Sequence, residues 1–202
     1  MFPFRRNKLV PTRTSKLYYR YSLTSSTKED MDQMSMILET LCQPFEKELV
    51  FLCIGTDRST GDAFGPLVGT TLMENQCPYP VFGTIAEPVH ALNLNSVLKE
   101  IHRRFSHPAI ISLDACLGEH HEIGSILLKD GPLIPGYAIH NPLPEVGIYH
   151  LKGVVNYLDP HFPASSLNHT RLDTVMNLSK IASTVILNAV KHGATTKMTI
   201  NP

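Results

Sequence analysis

Leu49-Val50-Phe51-Leu52-Cys53-Ile54 is an apolar run with no polar residue at alternate positions. A strand with one wet face alternates with a period of two, so an unbroken run ending at Gly55 describes a strand covered on both faces. Ala109-Ile110-Ile111-Ser112-Leu113 repeats the pattern and ends at Asp114. Between them, 63–73 reads as a helix with Pro66 tolerated in its first turn, and 81–85 as a short strand. Leu94, Val97, Leu98, Ile101 and Phe105 then recur at helical spacing. Strand, helix, strand, helix, strand closes only through right-handed crossovers, which gives a mostly parallel sheet with helices on both sides. The expected fold is therefore an α/β, three-layer α/β/α sandwich. Gly65 and Gly69, four apart on one helix face, imply that this helix lies very close to its neighbour.

The flanks extend this frame. Ser26 and Glu29 have the spacing of a capping box, and Met31, Met34, Ile37, Leu38 and Leu41 mark a helix over 28–43. Pieces at 123–128, 136–139 and 148–157 read as further, mixed strands, and a stripe from Leu172 to Ala189 reads as a long helix stopping at Gly193. Residues 1–25 carry Arg5, Arg6, Lys8, Arg13, Lys16 and Arg20 without an acid before Glu29, and are set apart as a basic N-terminal extension. Residues 26–202 are read as a single α/β domain.

Composition removes several classes of function. Lys plus Arg and Asp plus Glu both number 18, so no net field draws the chain to nucleic acid. No apolar run approaches the ~20 residues that span a bilayer. Cys42, Cys53, Cys77 and Cys116 form no CxxC pair, which fits buried thiols in a reducing cytoplasm. The oligomeric state leaves no trace in the sequence.

In an open α/β sheet, ligands bind at the carboxyl ends of the strands. Two acids fall there: Asp62, in the turn after the first buried run, and Asp114, at the tip of the second. A carboxylate in such a turn can simply cap the next helix, and an Asp at a strand end can tie down a loop. Two at facing strand ends can instead share a proton and act on a water as base and acid. With a histidine they can also hold a divalent metal; His140 and His150 are the candidates, while His120-His121 reads as a hairpin loop. The Gly55–Gly65 stretch has neither GxGxxG nor GxxxxGK[ST] spacing, and Asp62 stands where a phosphate-binding Lys would be, which rules out a nucleotide loop. No GxSxG elbow occurs.

The stretch from Cys53 to Gly69, with Gly61-Asp62-Ala63-Phe64-Gly65-Pro66 at its centre, closely resembles the signature segment of the YyaC family of sporulation proteins. Pro88-Val89-His90-Ala91 with Asn93-Leu94, Leu113-Asp114-Ala115-Cys116-Leu117-Gly118, Gly131-Pro132-Leu133 with Pro135-Gly136, and Asn168 to Met176 look like the same family, over about residues 48–190. That family is in turn distantly similar to the germination protease of spore formers and to hydrogenase-maturation endopeptidases. The resemblance implies a phosphorylase/hydrolase-like fold and a peptidase of sporulation or germination, acting in the cytoplasm on a protein or peptide. It implies that Asp62 and Asp114 are the functional pair. Arg58, with Asp57 beside it, is expected to bind substrate by orienting a carboxylate or polarising a carbonyl. No cofactor is required in this reading. The alternative is a metal-dependent variant with His140 as third ligand, and a further one is a non-catalytic interaction module that keeps the fold.

Overall fold

The computed structural model describes residues 15–45, 47–135 and 143–195. The elements follow in the order β1 (Leu17–Ser22), α1 (Lys28–Cys42), β2 (Leu49–Cys53), α2 (Phe64–Glu74), β3 (Val81–Phe82) and α3 (Leu94–Arg104). They continue with β4 (Ala109–Gly118), β5 (Ser125–Asp130), β6 (Tyr149–Tyr157), α4 (Pro163–Asn168) and α5 (Leu172–Thr195). The six strands form one sheet in the order β1-β5-β6-β4-β2-β3. The pairs β2–β3, β2–β4 and β4–β6 are parallel, whereas β5 is antiparallel to both β6 and β1. Among these six strands β5 alone runs against the rest, so the sheet is mostly parallel, as expected.

The two faces separate by residue parity. Phe51, Cys53, Ile111, Leu113, Leu151 and Val155 pack under α1, α2 and α5. Val50, Leu52, Ile54 and Ile110 pack under α3 with Leu133 and Val146. Phe51, Leu52, Phe64 and Ile111 are wholly buried, and each contributes about 1.5–3 kcal/mol of apolar burial. The glycine pair on α2 behaves as its spacing predicts. A Cβ on Gly65 would collide with the Ile54 carbonyl, and one on Gly69 with the Gly83 carbonyl, so the helix can sit against β2 and β3 only with hydrogen at both positions.

Several expectations are corrected. Residues 1–25 are not wholly an extension, because Leu17–Ser22 is an edge strand paired with β5 from Leu17↔Lys129 to Ser22↔Ser125. Its aromatic residues outweigh its charges: Tyr21 is buried, and Tyr18 packs edge-on against Tyr149 with ring centroids 6.0 Å apart. The cap of α1 is Thr27, one residue later than expected. The Thr27 N–H donates to Asp30 Oδ2 at 2.8 Å, while the Ser26 hydroxyl is already occupied by the Ser22 N–H. His120 and His121 do not join a hairpin, because β6 lies between β4 and β5. The long helix does not stop at Gly193 but runs to Thr195. The expected strand over 136–139 and His140 lie outside the described residues.

Candidate functional site

β2 ends at Cys53, but β4 continues to Gly118. Asp114 is thus not at a strand tip, as expected, but inside a long strand, one residue beyond Leu113, the last register partner of β2. The gap opens because the chain turns away at Gly55, whose φ of 140° belongs to glycine and where a Cβ would meet the Asp62 carbonyl. The Thr56 N–H donates to the Asp62 carbonyl at 3.1 Å, closing the loop and fixing Asp62 beside the strand it left. After β2 the chain moves outward to β3, and after β4 it moves the other way toward β5 and β6. The two acids therefore meet at the topological switch point, where open α/β sheets place their ligands.

There they line one cavity of about 560 Å³, within the usual range for small-ligand sites. Its walls are mainly apolar: Ile54, Leu117, Leu143 and Leu167, with Ile134 and Leu158 partly exposed at 49% and 42%. The polar groups among them are Asp62, Asp114, His90, Lys152, Ser59, Cys116 and Asn168. Burial, followed by the charge of Asp62, pushes the Asp114 carboxyl well above the ordinary carboxylate range, and Lys152 opposes this only in part. Burial also raises Asp62, against the Thr56 backbone N–H and the charge of His90. Burial pushes the Cys116 thiol up to about 12, so it is no nucleophile at neutral pH. The Ser59 hydroxyl is sealed from solvent without a hydrogen-bond partner.

The remaining sequence candidates are not brought here. Asp57 and Arg58 are exposed on the loop and do not line the cavity, so their expected substrate contact has no counterpart in its walls. His150 is buried in β6 with Nδ1 2.8 Å from the Gly131 carbonyl, a satisfied core position. His120 stacks on Tyr157 at 4.5 Å, and His121 is exposed beside Glu119. Among the described residues, no three His, Cys, Asp or Glu side chains are grouped to hold a metal ion. His140, the third ligand of the metal-dependent alternative, lies outside the described residues.

His90 was the residue missed. It follows the short strand β3 and precedes α3, so the carboxyl-edge rule that selected Asp62 and Asp114 applies to it equally.

A family model described as a protein of unknown function (DUF1256) matches residues 22–185. The chain belongs to that family. It is also 44% identical over 136 residues to the uncharacterized protein YyaC of Bacillus subtilis (strain 168). That match covers 67% of this chain and 66% of the relative, just under two thirds of its length. Among solved structures, the crystal structure of a NiFe hydrogenase maturation protease, HycI from Thermococcus kodakarensis KOD1, superimposes with a TM-score of 0.53 at 16% identity. The superposition covers 77% of this chain and 99% of that one, and it shows a shared α/β fold. Among the described residues of this DUF1256 chain, no helix is long and apolar enough to cross a membrane.

Proposed function

We propose that this chain is an endopeptidase that hydrolyses a peptide bond with Asp62 as base and Asp114 as acid. The observation that carries the reading is the inequality of the pair. Two carboxyl groups share an apolar cavity, and burial and the charge of Asp62 hold the deeper one, Asp114, well above the ordinary carboxylate range. Like charges confined together cannot both ionise, so one group accepts a proton while the other offers one.

The chemistry balances without another reactant. A water attacks the scissile carbonyl carbon as the Asp62 carboxylate takes one of its protons and the Asp114 carboxyl gives its proton to the carbonyl oxygen. The product is a neutral gem-diol, with the proton now on Asp62. Asp62 then protonates the amide nitrogen, the C–N bond breaks, and a hydroxyl proton of the gem-diol returns to Asp114. An acid and an amine leave, and the pair is restored. General acid–base help of this kind contributes about 10²–10⁴-fold each way.

The likeness in fold to a maturation protease supports a peptidase, and the resemblance of the Cys53–Gly69 segment to the signature of a sporulation family supports a protein substrate in the cytoplasm of a sporulating cell. The test is a cleavage assay on small acid-soluble spore proteins, with wild type, Asp62→Asn and Asp114→Asn side by side. Cleavage by wild type alone is expected, with all three proteins folded. Cleavage retained in Asp62→Asn would sink the assignment. A wild type that cuts nothing but retains one consistent partner would make the cavity a binding surface. Activity should also survive dialysis against a chelator; loss restored by a divalent ion would replace the carboxylate mechanism with the metal-dependent one.

A further inference from the structure

The chain leaving β6 is built into one wall of the cavity. The Leu158 N–H donates to the Gly118 carbonyl at 2.8 Å, so the residue after β6 still follows the β4–β6 ladder. Asp159 then turns the chain, its Oδ1 accepting from the N–H groups of His161 (2.8 Å) and Phe162 (3.2 Å). Pro163 opens α4, where a missing N–H costs nothing. Asn156 Nδ2 donates to the Ser166 carbonyl at 2.8 Å and ties α4 back to β6.

The apolar stripe on this wall faces the cavity. Pro160, Pro163, Ala164 and Leu167 recur at helical spacing and line it, with Asn168 at the last turn. A surface helix ordinarily turns its apolar stripe into the core. Here Leu158 is 42% exposed and Ala164 is exposed as well, while Leu167 packs against the edge of the main core. The wall also adjoins the reacting groups. A Cβ on Gly61 would meet the Leu167 carbonyl at 2.8 Å and its Cα at 3.1 Å, so α4 sits directly on the turn that carries Asp62. Ile134 and Leu143, from the chain between β5 and β6, add apolar surface to the same cavity. Leu133 and Val146 hold that chain by exchanging backbone hydrogen bonds, both 2.8 Å.

We propose that the α4 wall is the specificity subsite: Leu158, Ala164 and Leu167 take a large aliphatic or aromatic side chain of the substrate residue that flanks the scissile bond, and Ala164 sets the size that fits. This rests on the peptidase reading and narrows its substrates to peptides with Leu, Ile, Met or Phe at that position. The contact of Leu167 with Gly61 brings the bound side chain next to Asp62. An apolar wall rewards buried apolar area and leaves polar atoms unpaired, so Leu is preferred over Asn, which has nearly the same shape.

The test uses the full chain with Ala164→Phe and Leu158→Gln. Both fall on exposed positions, and the backbone bond from Leu158 to Gly118 needs neither side chain. Small acid-soluble spore proteins are digested and the new ends read by mass spectrometry. Cuts flanked by Leu, Ile, Met or Phe should exceed those flanked by polar residues of similar size by at least about 10-fold. Ala164→Phe should move the cuts to smaller residues such as Ala and Val, and Leu158→Gln should weaken the apolar preference. A second readout needs no cleavage: titration with N-acetyl-leucine amide or N-acetyl-asparagine amide, followed by NMR of the Leu167 methyl groups. The leucine probe should shift them in wild type, less so in either variant, and the asparagine probe should not. Cuts without apolar preference, a preference unchanged in both variants, or equal response to the two probes would each overturn the subsite and leave the peptidase reading intact. If wild type cuts nothing while the leucine probe still binds selectively, the peptidase reading fails and the apolar subsite stands.

Discussion

Asp114 and Lys152 are register partners across the parallel β4–β6 ladder, so an acid and a base from neighbouring strands line the same cavity. The pairing does not bring the acid back to its ordinary range. Burial and the charge of Asp62 outweigh the Lys152 ammonium, and the Asp114 carboxyl stays well above its ordinary range. Lys152 instead sets how far it rises.

Lys152→Met should therefore move the Asp114 titration to still higher pH, and Lys152→Arg should hold it nearer wild type. Carbon NMR of the Asp114 carboxyl reads both. A midpoint that falls or stays fixed in the Met variant would show that the two strands do not communicate in this way.

Asp114 also taxes the fold. Its carboxyl is raised in the native state, so between the ordinary 3.8 and that raised value the native chain binds more protons than the unfolded one. Stability from this group is full below 3.8 and declines as pH rises through the native value. Asp114→Asn, neutral at every pH, should melt higher than wild type at pH 7, by about 2–4 °C per kcal/mol regained, with the gain shrinking below pH 4. An Asn variant that melts lower at pH 7 would contradict the sign.

His150 works in the opposite direction. Burial lowers it from 6.5 to about 4, so the unfolded chain binds the extra proton first. Its contribution is complete above pH 6.5 and is lost as pH falls toward 4. Thermal melts across that window should drop more steeply for wild type than for His150→Asn. Parallel curves would mean that His150 charges freely in the native state.

Gly69→Ala should destabilise by about 1–3 kcal/mol, because its Cβ meets the Gly83 backbone rather than a side chain that can swing away. Denaturant unfolding measures it directly. An unchanged midpoint would mean that α2 and the β3 edge separate more easily than their contact implies.

Much of this architecture was legible in the chain. Leu49–Ile54 and Ala109–Leu113 could only be doubly covered strands, and the strand–helix alternation around them dictated a mostly parallel sheet with both faces packed. Gly65 and Gly69 announced a close contact that the Ile54 and Gly83 carbonyls supply. Asp62 and Asp114 were selected because a local rule, acids at carboxyl strand ends, coincides with the real switch point. Local rules failed where a distant partner decides. Leu17–Ser22 reads as a basic tail until β5 offers it an edge, and Ser26 loses the cap to Thr27 because the Ser22 N–H has taken its hydroxyl. Asp57, Arg58 and His150 were chosen for their chemistry, but whether a side chain lines the cavity depends on loop closure and strand register. Lys152 came into view only when β6 paired with β4. Periodicity and composition determine which segments must be buried, because burial is a property of each residue; which polar groups meet is a property of pairs far apart in the chain, and only the tertiary structure decided that.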